Sequence, residues 1–349
     1  MTLSNRKILR TLLCLLAGTL YAVCLSACDA KEPLSENRDA EIESPVIAND
    51  LSNQKVTAIA EDTQGHIWIG TFRGLNKNNV HDYHQYFCTD DSLGLPDNQI
   101  THLLRDSKNR FWVGTVNGVC LYTDKDNFRI IPIEADNKNV RQILEDRNGR
   151  IFLNTGFQLY AYHPREEKIT CVLPEISPGN AFYAQCHIAP DNNLWVMTST
   201  GLRCYDPSTL QLKESVALSG YPYYSYLHNN ELWITGNHTL SIFDTRTHSF
   251  KPLPQPIAHN TTLCNADIDY IHPYGNNGLL LNTARHGMFY YNPGTGSVTR
   301  QDENGFPFEM PRFRISRMFT DSQQNLWIGS VDQGYTVCYH CLLYTSPSP

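Results

Sequence analysis

The 349-residue chain has little charge: Asp, Glu, Lys and Arg make up 18% of it. Lys and Arg number 28 against 35 Asp and Glu, a net of −7, and they form no run in the body of the chain. That argues against nucleic acid as a partner, because phosphate binding needs clustered cations. No long stretch repeats apolar residues at a helical period, so strands must build the core. The 13 histidines include no HExxH, no His-x-His and no neighbouring Gly-x-Ser-x-Gly, so the motifs of zinc hydrolases and nucleophile elbows are missing. His66, His102, His187 and His228 fall at unrelated positions and read as hydrogen-bonded structural residues. The eleven cysteines have no fixed spacing: three lie in the first 28 residues, and Cys88, Cys120, Cys171, Cys186, Cys204 and Cys264 are scattered. They read as small buried side chains rather than a disulfide framework. No metal and no cofactor is expected. What the chain does have is 41% hydrophobic residues and 19 tyrosines, a globular composition.

Residues 1–28 differ from the rest. Arg6, Lys7 and Arg10 precede the charge-free run TLLCLLAGTLYAVCLSAC, closed by small residues at Ser26 and Ala27. This is the order of an export signal. LSAC, Leu25 to Cys28, resembles the bacterial lipobox, which implies a lipid on Cys28 after cleavage. Cleavage with lipidation, an uncleaved membrane anchor and plain secretion all stay open. Each places residues 29–349 outside the cytoplasm, and the first two attach them to the membrane. Residues 29–49 read as a short acidic tether.

One hairpin recurs along the remainder. EDTQGHIWIGTFRGLN (61–76) returns as RDSKNRFWVGTVNGVC (105–120), and aligning on the aromatic after the turn gives Trp68, Trp112, Phe152, Trp195, Trp233, Leu280 and Trp327. The gaps are 44, 40, 43, 38, 47 and 47 residues, and the sixth copy is weak. The Asp-rich turn supplies side chains that bond their own backbone and residues that tolerate positive φ. HIWIGT is apolar on both faces, as a strand covered on both sides would be. Gly74, Gly118 and Gly201 open a third strand, and DYHQYF (82–87) is the fourth run of the first copy. A four-stranded unit of this size cannot bury both faces alone; packed radially against copies of itself it can. The expected fold is therefore all-β, a seven-bladed β-propeller of four-stranded blades over residues 50–340, preceded by the signal or anchor segment.

IAEDTQGHIWIGTFRGLN and LLRDSKNRFWVGTVNGVCLY resemble the two-component regulator propeller repeat. The resemblance covers about residues 50–340, the weak sixth copy least well. It implies the N-terminal sensor part of a Bacteroidetes-type hybrid two-component system, in which two such propellers usually precede a membrane span and a histidine kinase. None of those later parts is in this sequence, so no kinase residue carries over and the fragment is expected to be non-catalytic. The resemblance also implies a homodimer in the full-length receptor. The ending CLLYTSPSP (341–349) resembles translated adapter sequence, so it reads as a non-native tail behind an incomplete last blade. Residues 44–50, SPVIAND, are expected to lie as the outer strand of that blade.

In such a blade the second-to-third loop and the approach to the next first strand share one end. The repeated Asp-rich turns mark the other end as scaffold, so recognition is expected at the varied end. Its loops carry Arg73, Asn117, Phe157, Thr200, His238, Arg285 and His286, and its strand approaches carry Asn98, Gln99, Tyr183, Tyr223, Tyr224, Asp269, Tyr270, Arg312 and Arg314. Tyrosine offers a flat apolar face with a polar tip, which suits a sugar ring, and the four arginines suit an acidic sugar or a sulfate. The expected ligand is a glycan or oligosaccharide, and the expected activity is sensing across the membrane. A glycan-binding or adhesion lipoprotein, and a propeller lyase or hydrolase, are the alternatives.

Overall fold

In the computed structural model, which describes residues 51–78, 83–89, 94–123, 126–176 and 184–339, the strand after each Asp-rich turn is covered on both faces. The first is Ile67–Thr71, buried at every position, and Phe111–Thr115, Leu194–Thr198 and Leu326–Ser330 are the same. Blade 1 runs Val56–Glu61, Ile67–Thr71, Gly74–Asn78 and Tyr83–Tyr86, each antiparallel to the next. Five more sheets repeat this order with four strands. The seventh shows three among the described residues, Ile315–Thr320, Leu326–Ser330 and Tyr335–Cys338. This is a seven-bladed β-propeller. Two single-turn helices, Gln255–Ala258 and Thr261–Cys264, interrupt the strands between blades 5 and 6 and bury Ile257 and Leu263 there.

The Asp-rich turns work as their sequence predicts. One oxygen of Asp106 accepts the backbone N–H of Lys108 and Arg110, at 3.0 and 2.9 Å, while Asn109 takes φ 62°. Its other oxygen accepts the Trp112 indole N–H at 2.8 Å. Asp62 and Asp321 do the same for Trp68 and Trp327. Burial raises the pKa of Asp62, but the bonds from Trp68 and the turn outweigh it and hold the carboxyl below its ordinary value.

No blade has a core of its own. Seven buried clusters occur, one between each pair of neighbouring blades, the last joining blade 7 to blade 1 through Leu51, Val56, Ile67, Ile69, Trp327, Tyr335 and Val337. The aligned residue of every second strand faces the following blade. Trp68 packs with Phe111 and Val113, Trp112 with Ile143 and Leu153, and so on round to Trp327 with Val56. Phe152 and Leu280 occupy the same place in blades 3 and 6. Glycine in the second strand lets the next first strand close in: a Cβ on Gly70 would sit 2.5 Å from Ile100, and one on Gly329 2.6 Å from Val56.

No disulfide joins any two of the seven described cysteines. Cys120, Cys186 and Cys204 are the small buried side chains that were expected, whereas Cys88 and Cys171 are exposed. The leader with Cys28, the tether, the strand expected over 44–50, Tyr183 and the tail lie outside the described residues. No helix among the described residues is long and apolar enough to cross a membrane.

Candidate ligand-binding mouth at the varied end

The loops of the varied end have pinned bases and free tips. Thr71, Thr115 and Thr198 close their second strands, and each hydroxyl donates to the carbonyl of the glycine three residues on, at 2.8, 3.0 and 3.1 Å. The same oxygens accept the backbone N–H of Arg73, Asn117 and Thr200. Thr283 does the same in blade 6 with Gly287, four residues on, and His286, while in blade 7 the Ser330 hydroxyl accepts the Asp332 and Gln333 amides but donates to the Asp332 carboxylate. The peg repeats while the residue displayed above it changes.

The first strands add a second repeating device. In five blades the pairing of first with second strand slips at one rung: Val56/Ala58, Ile100/His102, Pro222/Tyr224, Ile268/Tyr270 and Ile315/Arg317. Such a β-bulge re-aims the extra side chain. The extra residues are Thr57, Thr101, Tyr223, Asp269 and Ser316, all polar. Four of them, all but Thr101, line one cavity of about 760 Å³ at the start of the first strands, on the axis of the ring. This is the size of a small-molecule site. The Thr57 and Ser316 hydroxyls are buried and have no hydrogen-bond partner among the described residues, and the Tyr223 hydroxyl is buried with only a weak contact to Thr235. Buried hydroxyls are normally paired, so hydroxyls left short of partners at equivalent rungs mark a place that takes polar company.

His102, Gln142, Gln185, His187, Ser225 and Arg317 also face this cavity. Gln185 accepts from the Ser225 amide at 2.6 Å, and His187 Nε2 bonds the Ser225 hydroxyl at 2.8 Å. His102 Nδ1 accepts the Ile143 N–H at 3.4 Å. Burial, and for His102 also the charge of Arg317, pulls both imidazoles down to about 4, so they are neutral at pH 7. Burial and the charges of Asp267 and Asp269 push the Tyr223 phenol up to about 12. Asp269 is raised by burial, while the amide of Asn282, at 2.6 Å, and the charge of Arg314 act the other way.

Of the residues expected from the sequence, Tyr223, Tyr224 and Tyr270 line the cavity. Tyr224 and Tyr270 also tie blades together, donating to the carbonyls of Ile271 and Met318 at 3.3 and 3.4 Å. Arg285, Arg312 and Arg314 meet in an adjoining cleft of about 410 Å³ between blades 6 and 7, which shares Asp269 and Ile315 with the cavity. The others sit elsewhere. Asn98 accepts the Cys88 and Gly74 amides, and the Gln99 carbonyl accepts the Val116 amide. His238 is exposed and donates from Nδ1 to the Asn265 carbonyl at 2.8 Å. Arg73 and Asn117 are exposed at their loop tips and line neither pocket. The residues that sequence reasoning missed are Thr57, His102, Gln142, Gln185, His187, Ser316 and Arg317. All are on first strands or their approaches, which carry no repeat signature.

Residues 50–73 and 94–117 match the two component regulator propeller family model, so the first two copies are repeats of that kind. A search of curated proteins finds no match to the chain. Among solved structures, the extracellular domain assigned to a hybrid two-component system of B. thetaiotaomicron matches with a TM-score of 0.67 at 20% identity, covering 82% of this chain and 40% of that one. A second such domain from the same organism gives 0.66 at 21% identity, covering 85% and 39%. Virginiamycin B lyase from Staphylococcus aureus gives 0.63 at 14% identity, covering 84% and 98%. The chain thus spans about two fifths of the length of the B. thetaiotaomicron domains. Likeness at these identities is likeness of fold.

Proposed function

We propose that this propeller is the extracytoplasmic ligand-sensing part of a hybrid histidine kinase/response regulator, and that its ligand is an oligosaccharide. The observation that carries the reading is the set of bulged polar residues, four of which converge on one cavity lined on the side of blades 5 and 6 by tyrosines. A sugar has hydroxyls to pair with polar side chains of the cavity lining such as Gln185, Asp269 and Arg317, and an apolar face to lie on Tyr224, Tyr226 or Tyr270. The matched repeats and the two B. thetaiotaomicron neighbours support the receptor context. In such a receptor, attached to the membrane and dimeric, the propeller performs no chemistry. The ligand shifts the balance between two arrangements by its difference in affinity for them, and a ligand with equal affinity for both shifts nothing.

Calorimetric titration of the chain with neutral and acidic glycan fragments tests this, beside Tyr270→Ala and Tyr223→Phe variants. Binding of one fragment, weakened in both variants, is the expected result. Binding unchanged in both removes the site. A second reading, a sugar-cleaving lyase or hydrolase, draws on His102 and His187 in the same cavity and on the fold of the S. aureus lyase. Against it, His187 is spent on Ser225, and among the described residues no three His, Cys, Asp or Glu converge on a metal position. Turnover of a fragment, lost in His187→Gln, would replace the sensor reading with this one.

A further inference from the structure

The charges at the varied end are lopsided. The axial cavity and the cleft beside it are lined by six cations, Lys55, Arg141, Arg285, Arg312, Arg314 and Arg317, against two carboxylates, Asp269 and Asp332. The chain as a whole carries −7, so this end opposes the net charge. Elsewhere Arg110, Arg129, Arg150, Arg246 and Arg300 each pair with an acidic side chain, while the arginines that stand without an ion pair away from this end, such as Arg147, Arg165 and Arg203, are scattered singly rather than gathered in one cleft. Arg285, Arg312 and Arg314 have no ion pair among the described residues.

Three arginines line one cleft, and the charge of Arg314 is felt by Asp269, but neither nearby carboxylate forms an ion pair with any of the three among the described residues. Asp269 is turned to the Asn282 amide, and Asp332 accepts the Ser330 hydroxyl at 3.0 Å. A planar guanidinium binds carboxylate or sulfate through two parallel hydrogen bonds. Arg285 comes from the pinned loop of blade 6, and Arg312 and Arg314 from the run into the first strand of blade 7. An anion here is therefore gripped from both sides of one blade interface. The cleft and the axial cavity are neighbours that share Asp269 and Ile315 in their walls, so a chain-like ligand crossing that wall would reach both.

We infer that Arg285, Arg312 and Arg314 form an anion-binding subsite that takes the carboxylate or sulfate of an acidic oligosaccharide, whose next residue lies against the tyrosines of the axial cavity. The inference rests on the reading above for the sugar but not for the charge. Arg73, at the same end but outside the cleft, takes no part.

The experiment is calorimetric titration of the full chain with tri-galacturonate, with neutral galactotriose and with inorganic sulfate. Each is repeated on an Arg312→Gln, Arg314→Gln double variant and on Arg73→Gln. The substituted side chains are exposed, so matching thermal melts will show that all three proteins are folded. Tri-galacturonate is expected to bind more tightly than galactotriose and to weaken as salt rises. Its affinity should fall about 10- to 100-fold in the double variant, the range for losing charged hydrogen bonds, and stay unchanged in Arg73→Gln. Equal binding of both trisaccharides, unaffected by the double variant, overturns the subsite and leaves the sugar reading standing. Sulfate binding that the double variant abolishes, with neither sugar bound, upholds the anion site and removes the sugar reading. Failure of every anion to bind overturns the inference.

Discussion

Asp106 shows how much one side chain can carry. It accepts two backbone N–H groups of its turn, the Arg110 guanidinium and the Trp112 indole. Asp106→Ala is expected to lose about 2 kcal/mol, because several donors lose their acceptor and the indole among them is sealed from water. Trp112→Ala should lose about 3–5 kcal/mol, as large core truncations do. Urea melts measure both, and a loss under about 1 kcal/mol for Trp112→Ala would contradict its place in the core. In blade 4 the residue equivalent to Asp106 is Ala189, and the Trp195 indole N–H has no hydrogen-bond partner among the described residues. The repeat therefore tolerates the loss where the rest of the turn is intact. His272 gives the pH dependence. It is buried, bonded through Nε2 to the Thr320 hydroxyl at 2.9 Å, and burial pulls its pKa down to about 3. The unfolded chain, with an ordinary imidazole near 6.5, then binds more protons than the folded one between about pH 6.5 and pH 3. Stability contributed by neutral His272 is full above pH 6.5 and is lost as the pH falls. Melts at pH 7.5 and pH 5 should differ less for His272→Gln than for the parent; an identical difference would show that the ring titrates normally.

At the scale of the strand, the sequence was legible where the repeat constrains it. The second strands could be found because Trp68, Trp112, Trp195, Trp233 and Trp327 do the same job, facing the next blade from a strand buried on both sides. The third strands could be found because Gly74 and Gly118, at φ 117° and 133°, hold a backbone shape that favours glycine. The first strands could be counted but not interpreted. Their bulges come from slips in pairing that no single residue announces, so Thr57, Tyr223, Asp269 and Ser316 look unrelated until the rungs are lined up. His102 and His187, read from the sequence as hydrogen-bonded structural residues, do hold hydrogen bonds to Ile143 and Ser225; standing at different offsets from their tryptophans, they gave no sign that both also face the cavity. The last blade carries a prediction of its own. Its third strand, Tyr335–Cys338, has no outer partner among the described residues, and the described chain begins beside it: Leu51 packs on Tyr335 and Val337, and the Gln54 carbonyl accepts the Gly334 N–H at 2.8 Å. Residues 44–50 are therefore expected to pair along Thr336–Tyr339 and cover that edge. A cysteine at position 47 should cross-link to one on that strand, and deleting 44–50 should lower the melting temperature. Neither effect would mean that another segment completes the blade.

For the whole molecule, the number of copies predicted the number of blades, and the seven clusters show why the count matters: each interface is shared, so removing one blade would strip apolar surface from two others. Every blade passes its aligned side chain forward to the next, and none passes it back. In mechanical terms the propeller is a hoop made of links that all hook in the same rotational sense, and a hoop yields at its thinnest link. Six of the links hook with an aromatic ring and the sixth in order with Leu280. The space beside Leu280 is filled by half-buried rings, Tyr274, Tyr290, Phe306 and Phe308, in edge-on and tilted contact with part of their surface still in water. The arginine cleft straddles this same link. On the proposed reading, an anion held there from both sides would clasp blades 6 and 7 together at the joint whose aligned side chain is smallest.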